Sequence, residues 1–180
     1  MGKATEDLRH EHEAILYVLQ ILEKAMATGD KGNDGMLRFY GELVQFLKIF
    51  ADKCHHGKEE GFLFPALSEK GVSSEDGPIG VMLEEHRLGR EYIAQMSKAG
   101  ELKDLVALNT AATQYRELLI SHIGKENNVL FVMADKLLDN ETQEALFEKF
   151  EEHEESVVGH GVHEKLHAMI DTWAEEFDVE

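Results

Sequence analysis

The feature that most restricts how this chain can fold is a frame that occurs twice. Cys54 to Leu67 reads CHHGKEEGFLFPAL and Ser121 to Ala134 reads SHIGKENNVLFVMA. His55, Gly57, Lys58, Glu59, Leu63 and Phe64 fall in register on His122, Gly124, Lys125, Glu126, Leu130 and Phe131. In each copy a histidine and a glutamate stand four residues apart in sequence of helical, apolar period, so the two side chains leave one helical face together. A carboxylate on a buried face is too costly to leave without a partner or a metal ion. The shared register selects His55 rather than His56, and Glu59 rather than Glu60.

Apolar residues recur at helical spacing through most of the chain, separated by clusters of Gly, Asp, Asn and Ser. Five helices are expected. The first spans about Thr5 to Thr28, with Leu8, His12, Ile15, Leu19, Leu22 and Met26 in one stripe, and stops at TGDKGNDG. The second spans Asp34 to Glu69, with Tyr40, Val44, Leu47, Ala51, His55, Glu59 and Phe62 on one face. The third, Pro78 to Ala99, has Pro78 as its first residue and lines up Met82, His86, Gly89, Ile93 and Met96. The fourth, Glu101 to Leu138, aligns Tyr115, Leu118, His122, Glu126, Val129 and Met133. Asn140 and Gln143 read as a capping box opening a fifth helix, which breaks near VVGHGVH and resumes toward Trp173. Short turns between long amphipathic helices predict an all-α fold: an up-down-up-down four-helix bundle over residues 5–139, with a C-terminal helical extension, 140–180, packed on it.

Charge narrows the partners. Thirty-six acidic residues against 18 basic ones give a net charge of −18, which repels phosphate backbones and argues against nucleic acid. No run approaches the roughly 18 apolar residues of a membrane span, and the charged start MGKATEDLRHEH is unlike a signal peptide, so a cytoplasmic protein without membrane contact is expected. The one cysteine, Cys54, rules out an intrachain disulfide and reads as a buried structural thiol.

Each of the first four helices carries a histidine on its apolar stripe: His12, His55, His86 and His122. The second and fourth add Glu59 and Glu126 one turn later. Four inward imidazoles and two inward carboxylates satisfy one another by sharing metal ions, and a set of N and O donors suits Fe, Mn or Zn. Two other readings compete. A ferritin-like di-iron protein needs Glu-x-x-His on two helices, whereas the pattern occurs here only at Glu164–His167; a metal-free helical interaction module needs the histidines merely to pack.

The segment CHHGKEEGFLFPAL, with EHEAI before it and LEEHR and SHIGKENNVLF after it, resembles the hemerythrin-like HHE cation-binding family, and the tail GHGVHEKLHAMI is also similar. The resemblance implies a four-helix bundle around two non-heme irons bridged by carboxylates. His12, His55, Glu59, His86, His122 and Glu126 would be the ligands and Glu59 and Glu126 the bridges. It implies binding of, or reaction with, oxygen or a small oxidant such as peroxide or nitric oxide, or sensing or storage of iron, in a metal-binding protein more than a dedicated enzyme. Oxygen carriers of that family place two histidines one turn apart on the third helix; here Met82 and Arg90 flank His86. Their last helix spaces its histidine and carboxylate by five rather than four. His56 and Glu60 are therefore secondary candidates, placed by their more polar stripe at the rim of the site. His160, His163 and His167 share a helical face in the tail and read as packing or surface residues.

Overall fold

Every element is a helix, in a computed structural model that describes residues 1–29 and 31–180; among the described residues there is no strand. Asp30, in the stretch expected to end the first helix, lies outside them. Helix α1 runs Lys3–Thr28 and ends at Gly29, whose φ of 56° turns its N–H back to the Ala25 carbonyl. The second expected helix is continuous over 32–69 but not uniform. It comprises α2 (Gly32–Phe46), a π-helical segment π1 (Leu47–His56), a second one π2 (Glu59–Leu63) and α3 (Phe64–Glu69).

Helix α4 spans Gly77–Glu101, so Glu101 ends the third helix instead of opening the fourth. Lys103 takes a left-handed conformation (φ 55°), and Asp104 then caps α5 (Leu105–Lys125) by accepting from Ala107 N. The wider π3 (Glu126–Leu130) and α6 (Phe131–Leu137) complete this segment.

The break near VVGHGVH falls at Gly159 and Gly161, both at positive φ, between α7 (Asn140–Val157) and α8 (Val162–Phe177). The cap of α7 is Asp139, which accepts from Thr142 N at 2.9 Å, and not the Asn140–Gln143 box. Gln143 is turned inward and its Oε1 accepts from Ala4 N and Thr5 N at 3.1 and 3.3 Å. It thereby satisfies donors that the start of α1 leaves open.

The buried side chains form two apolar clusters. The larger joins Ile15, Leu19 and Leu22 of α1 to Phe39, Phe46, Ile93, Met96, Tyr115 and Leu119, and takes in Ile170, Trp173 and Phe177 of α8. Trp173 meets Phe39 and Phe46 edge-on and donates from Nε1 to Glu42 at 2.7 Å. The smaller contains Leu8, Leu63, Phe64, Met82, Leu130 and Phe131, with Leu146 and Phe150 of α7. Along each of these four helical segments a histidine marks the change from one cluster to the other: His12 between Leu8 and Ile15, His55 between Ala51 and Leu63, His86 between Met82 and Ile93, His122 between Leu119 and Leu130. A polar layer therefore lies between two apolar ones. No helix among the described residues is long and apolar enough to cross a membrane.

Candidate metal centre

The polar layer is made by the helices that carry the repeated frames. In π-helix each N–H reaches five residues back, which takes more residues per turn and brings neighbouring side chains closer to one direction. Gly57 N reaches Asp52 O, Phe64 N reaches Glu59 O and, in the second frame, Phe131 N reaches Glu126 O. The three π segments thus coincide with His55, His56, Glu59, Glu60 and Glu126. Gly57 also leaves room for the extension, because a Cβ there would stand 2.6 Å from His153 Nε2, which hydrogen-bonds the Lys53 carbonyl.

His12, His55, Glu59, His86, His122 and Glu126 are all buried and converge, and His56 joins them at 4% exposure. The expectation that His56 sits at the rim is corrected: the widened turn swings it inward, and its ring stacks on His86 with centroids 3.8 Å apart. The donors fall into two groups, His56, Glu59, His86 and His122, and His12, His55, Glu59 and Glu126. Both carboxylates divide their oxygens between the groups. Glu59 places Oε1 3.3 Å from His55 Nε2 and Oε2 3.2 Å from His86 Nε2. Glu126 places Oε2 3.1 Å from His12 Nε2 and Oε1 3.2 Å from His122 Nε2.

These contacts are close but poorly directed as hydrogen bonds. The Nε2 atoms of His12, His55 and His56 and all four oxygens of Glu59 and Glu126 are buried without a hydrogen-bond partner. His86 and His122 point their Nε2 atoms at each other across 3.2 Å. Buried polar atoms are rarely left so. An ion bound at 2.0–2.2 Å with its donors roughly at right angles would hold them about 3 Å apart, so the residues present fit metal ions.

The opposite ring nitrogens are held from outside. His55 Nδ1 meets Glu11 at 2.7 Å, His122 Nδ1 meets Glu85 at 2.9 Å and His12 Nδ1 meets Asn127 at 2.8 Å. His86 Nδ1 lies 3.3 Å from Glu60, a charge contact rather than a well-directed hydrogen bond, and His56 Nδ1 lies 3.5 Å from Asp52. This arrangement fixes tautomer and ring direction in metal-bound imidazoles. Each outer carboxylate is in turn held by a cation. Lys58 holds Glu11 at 2.6 Å, Lys125 contacts Glu85, and Arg90 reaches both Glu60 (2.6 Å) and Asp52 (2.9 Å).

The repeat is therefore deeper than the frame. Glu11–His12 corresponds to Glu85–His86, and in each half the lysine of the frame anchors the glutamate that orients the histidine of the same frame. Sequence reasoning missed Glu11, Glu85, Lys58 and Lys125; the signal available was a glutamate immediately before each lone histidine. His56 and Glu60 break the symmetry, since Ile123 and Asn127 occupy the matching places. Glu60 itself is partly exposed, at the rim.

The carboxylates set the protonation of the metal-free cluster. Burial pushes the His55 and His122 imidazoles down, but Glu59 and Glu11 around the first, and Glu126 and Glu85 around the second, outweigh it and lift both to about 10. Glu59, whose charge is opposed by burial and Glu126, is pulled down to about 2 by His55 and His86. His56, buried beside His86, is held well below the ordinary imidazole value and keeps its lone pair free. Glu11, Cys54 and Glu154 also approach one another closely, but Lys58 Nζ touches both carboxylates and fills that role. Cys54 is buried and its thiol pushed upward by burial and Glu11, which keeps it protonated.

Residues 3–134 match the model of the hemerythrin HHE cation binding domain. The chain is 29% identical over 146 residues to the iron-sulfur cluster repair protein YtfE of Escherichia coli O157:H7, a match covering 70% of this chain and 60% of that protein. The chain thus spans about 60% of the length of the curated relative it matches. No solved structure matches it. With paired His–Glu donors on buried faces and a family match across most of the chain, the chain belongs to the hemerythrin HHE cation-binding domain family.

Proposed function

We propose that this protein holds two non-heme irons bridged by Glu59 and Glu126 and binds or reacts with oxygen or a related small oxidant, peroxide or nitric oxide. The helical segments 3–28, 32–69, 77–101 and 105–137 would form an up-down-up-down bundle around the centre, with 140–180 as its extension. The observation that carries the reading is the division of both carboxylates between two groups of imidazoles. His12 and His55 would hold one ion, and His56, His86 and His122 the other. Bound ferrous iron supplies electrons to a small oxidant. The chain orients imidazoles through their Nδ1 atoms, keeps water out with Phe64, Phe131 and Met82, and offers two imidazoles on the His12–His55 side against three on the other, so an incoming ligand would complete the His12–His55 side.

Anaerobic iron loading followed by elemental analysis should give one iron per donor group, and His55→Ala or His122→Ala should lower the content sharply. Mixing the ferrous protein with oxygen, peroxide or nitric oxide should produce a change in absorption that tracks iron content. Equal iron in wild type and His55→Ala would sink the assignment. The relative's name favours a second reading, in which the iron is itself stored, sensed or delivered. Release of iron to an acceptor chelator, without consumption of oxidant, would favour that alternative.

A further inference from the structure

We infer that His163 and His167 form a second metal site, on the C-terminal helices, for a borderline divalent cation of the Zn(II) type. The segment reads His-Glu-Lys-Leu-His, which sets two histidines one turn apart on one face of α8. That spacing presents two imidazoles to a single zinc ion in helices built on the His-Glu-x-x-His pattern. Here the two Nε2 atoms already face each other across 2.8 Å. Two ring nitrogens so close either share one proton or direct their lone pairs to one cation.

Further observations point the same way. Glu154 of α7 brings Oε1 within 2.8 Å of His163 Nδ1, a charge contact rather than a well-directed hydrogen bond, on the side where an outer carboxylate stands behind a metal-bound imidazole. Its other oxygen is held by Lys58 at 3.2 Å, so the carboxylate is itself anchored. Both rings stand edge-on to Phe50, with centroids 5.9 and 6.4 Å away, which restrains them before any ion arrives. Burial and the neighbouring His163 also hold His167 below the ordinary imidazole value, so its lone pair is free at neutral pH.

The sequence alone did not show this arrangement because Glu154 lies across the Gly159–Gly161 turn. His160, expected on the same face, lies in that turn before α8 begins. The chemistry is N-donor and suits zinc, copper or nickel over calcium or magnesium.

The test is a Zn(II) titration of the iron-loaded full chain, followed by calorimetry and by competition with a chromogenic chelator. Wild type should bind one zinc equivalent without losing iron. His167→Ala, and His167→Gln, which keeps bulk against Phe50, should bind that zinc at least about tenfold more weakly with iron content and helicity unchanged, and Glu154→Gln should weaken it about tenfold. Zinc isotherms of the His167 variants that superimpose on wild type would overturn the site, as would zinc uptake by wild type only in exchange for iron. The comparison is made within one preparation, so a failure of the iron reading would appear as iron-free protein in every variant and leave the zinc difference readable.

Discussion

Lys58 Nζ lies 2.6 Å from Glu11 Oε1, and both side chains are buried, Lys58 at 1% exposure. Asp7 and Glu154 surround the same ammonium at 3.1 and 3.2 Å. Replacing Lys58 by Met removes the ammonium and leaves buried Glu11 with His55 as its remaining cationic partner, a loss of up to about 3–5 kcal/mol, largest where bound metal keeps His55 neutral. For a chain of this length that lowers Tm by roughly 6–20 °C. Lys125→Met removes the equivalent contact from an exposed position and should cost no more than about 1 kcal/mol. Thermal unfolding of the two variants side by side checks the contrast; equal Tm values would show that burial does not distinguish the two lysines.

His56→Ala gives a different outcome from the one its polar stripe suggests. A rim residue would leave iron content nearly intact. His56 instead stacks on His86 inside the donor group that includes His122. The variant should therefore lose iron mainly from that group, about 10–100-fold in affinity, while the ion held by His12 and His55 stays. Mössbauer spectra of the loaded variant should show one of two unequal iron signals reduced; two undiminished signals would return His56 to the rim.

Loading the centre should release protons. At neutral pH the metal-free protein keeps His55 and His122 protonated, with values near 10, and each must be neutral to bind an ion. Affinity should thus go on rising above the ordinary imidazole value of 6.5 toward about 10. Calorimetric titrations in buffers of different ionisation enthalpy measure the protons released. None released at neutral pH would mean the imidazoles are already neutral.

The same shifts shape the stability of the metal-free protein. A raised histidine value contributes stability that is complete below 6.5 and is lost as pH rises through about 10. A depressed glutamate value contributes stability present above 4.5 and lost as pH falls through about 2. Metal-free protein should accordingly be most stable between about 4.5 and 6.5 and weaken on the alkaline side, whereas the loaded protein should lose no stability there. Denaturant melts across pH with and without chelator would reveal the divergence, and parallel curves would contradict it.

Gln143→Ala should loosen the join between α7 and the start of α1. It leaves Ala4 N and Thr5 N without their buried acceptor, at a cost of about 1–3 kcal/mol. Hydrogen exchange should then speed up in the first turn of α1. Unchanged exchange there would show that the bond holds nothing in place.

Relations that repeat along a single helix were legible in the residue order alone. Apolar stripes at helical period produced an all-helical chain with its break at Gly159–Gly161, and the four-residue steps from His55 to Glu59 and from His122 to Glu126 placed donors on buried faces. Such relations depend only on helix geometry and survive small errors in helix ends, which were off by a few residues at Lys3 and Glu101. Tertiary structure decided everything that passes between helices. Glu11 reaches His55 from α1, Glu85 reaches His122 from α4, and Gln143 caps a helix more than a hundred residues earlier. It also decided the direction of His56, because a π turn redirects side chains while leaving the residue pattern untouched, and a period of 3.6 applied throughout turns that ring outward. A buried charge fixes that some partner exists; only the packing of the helices selects which one.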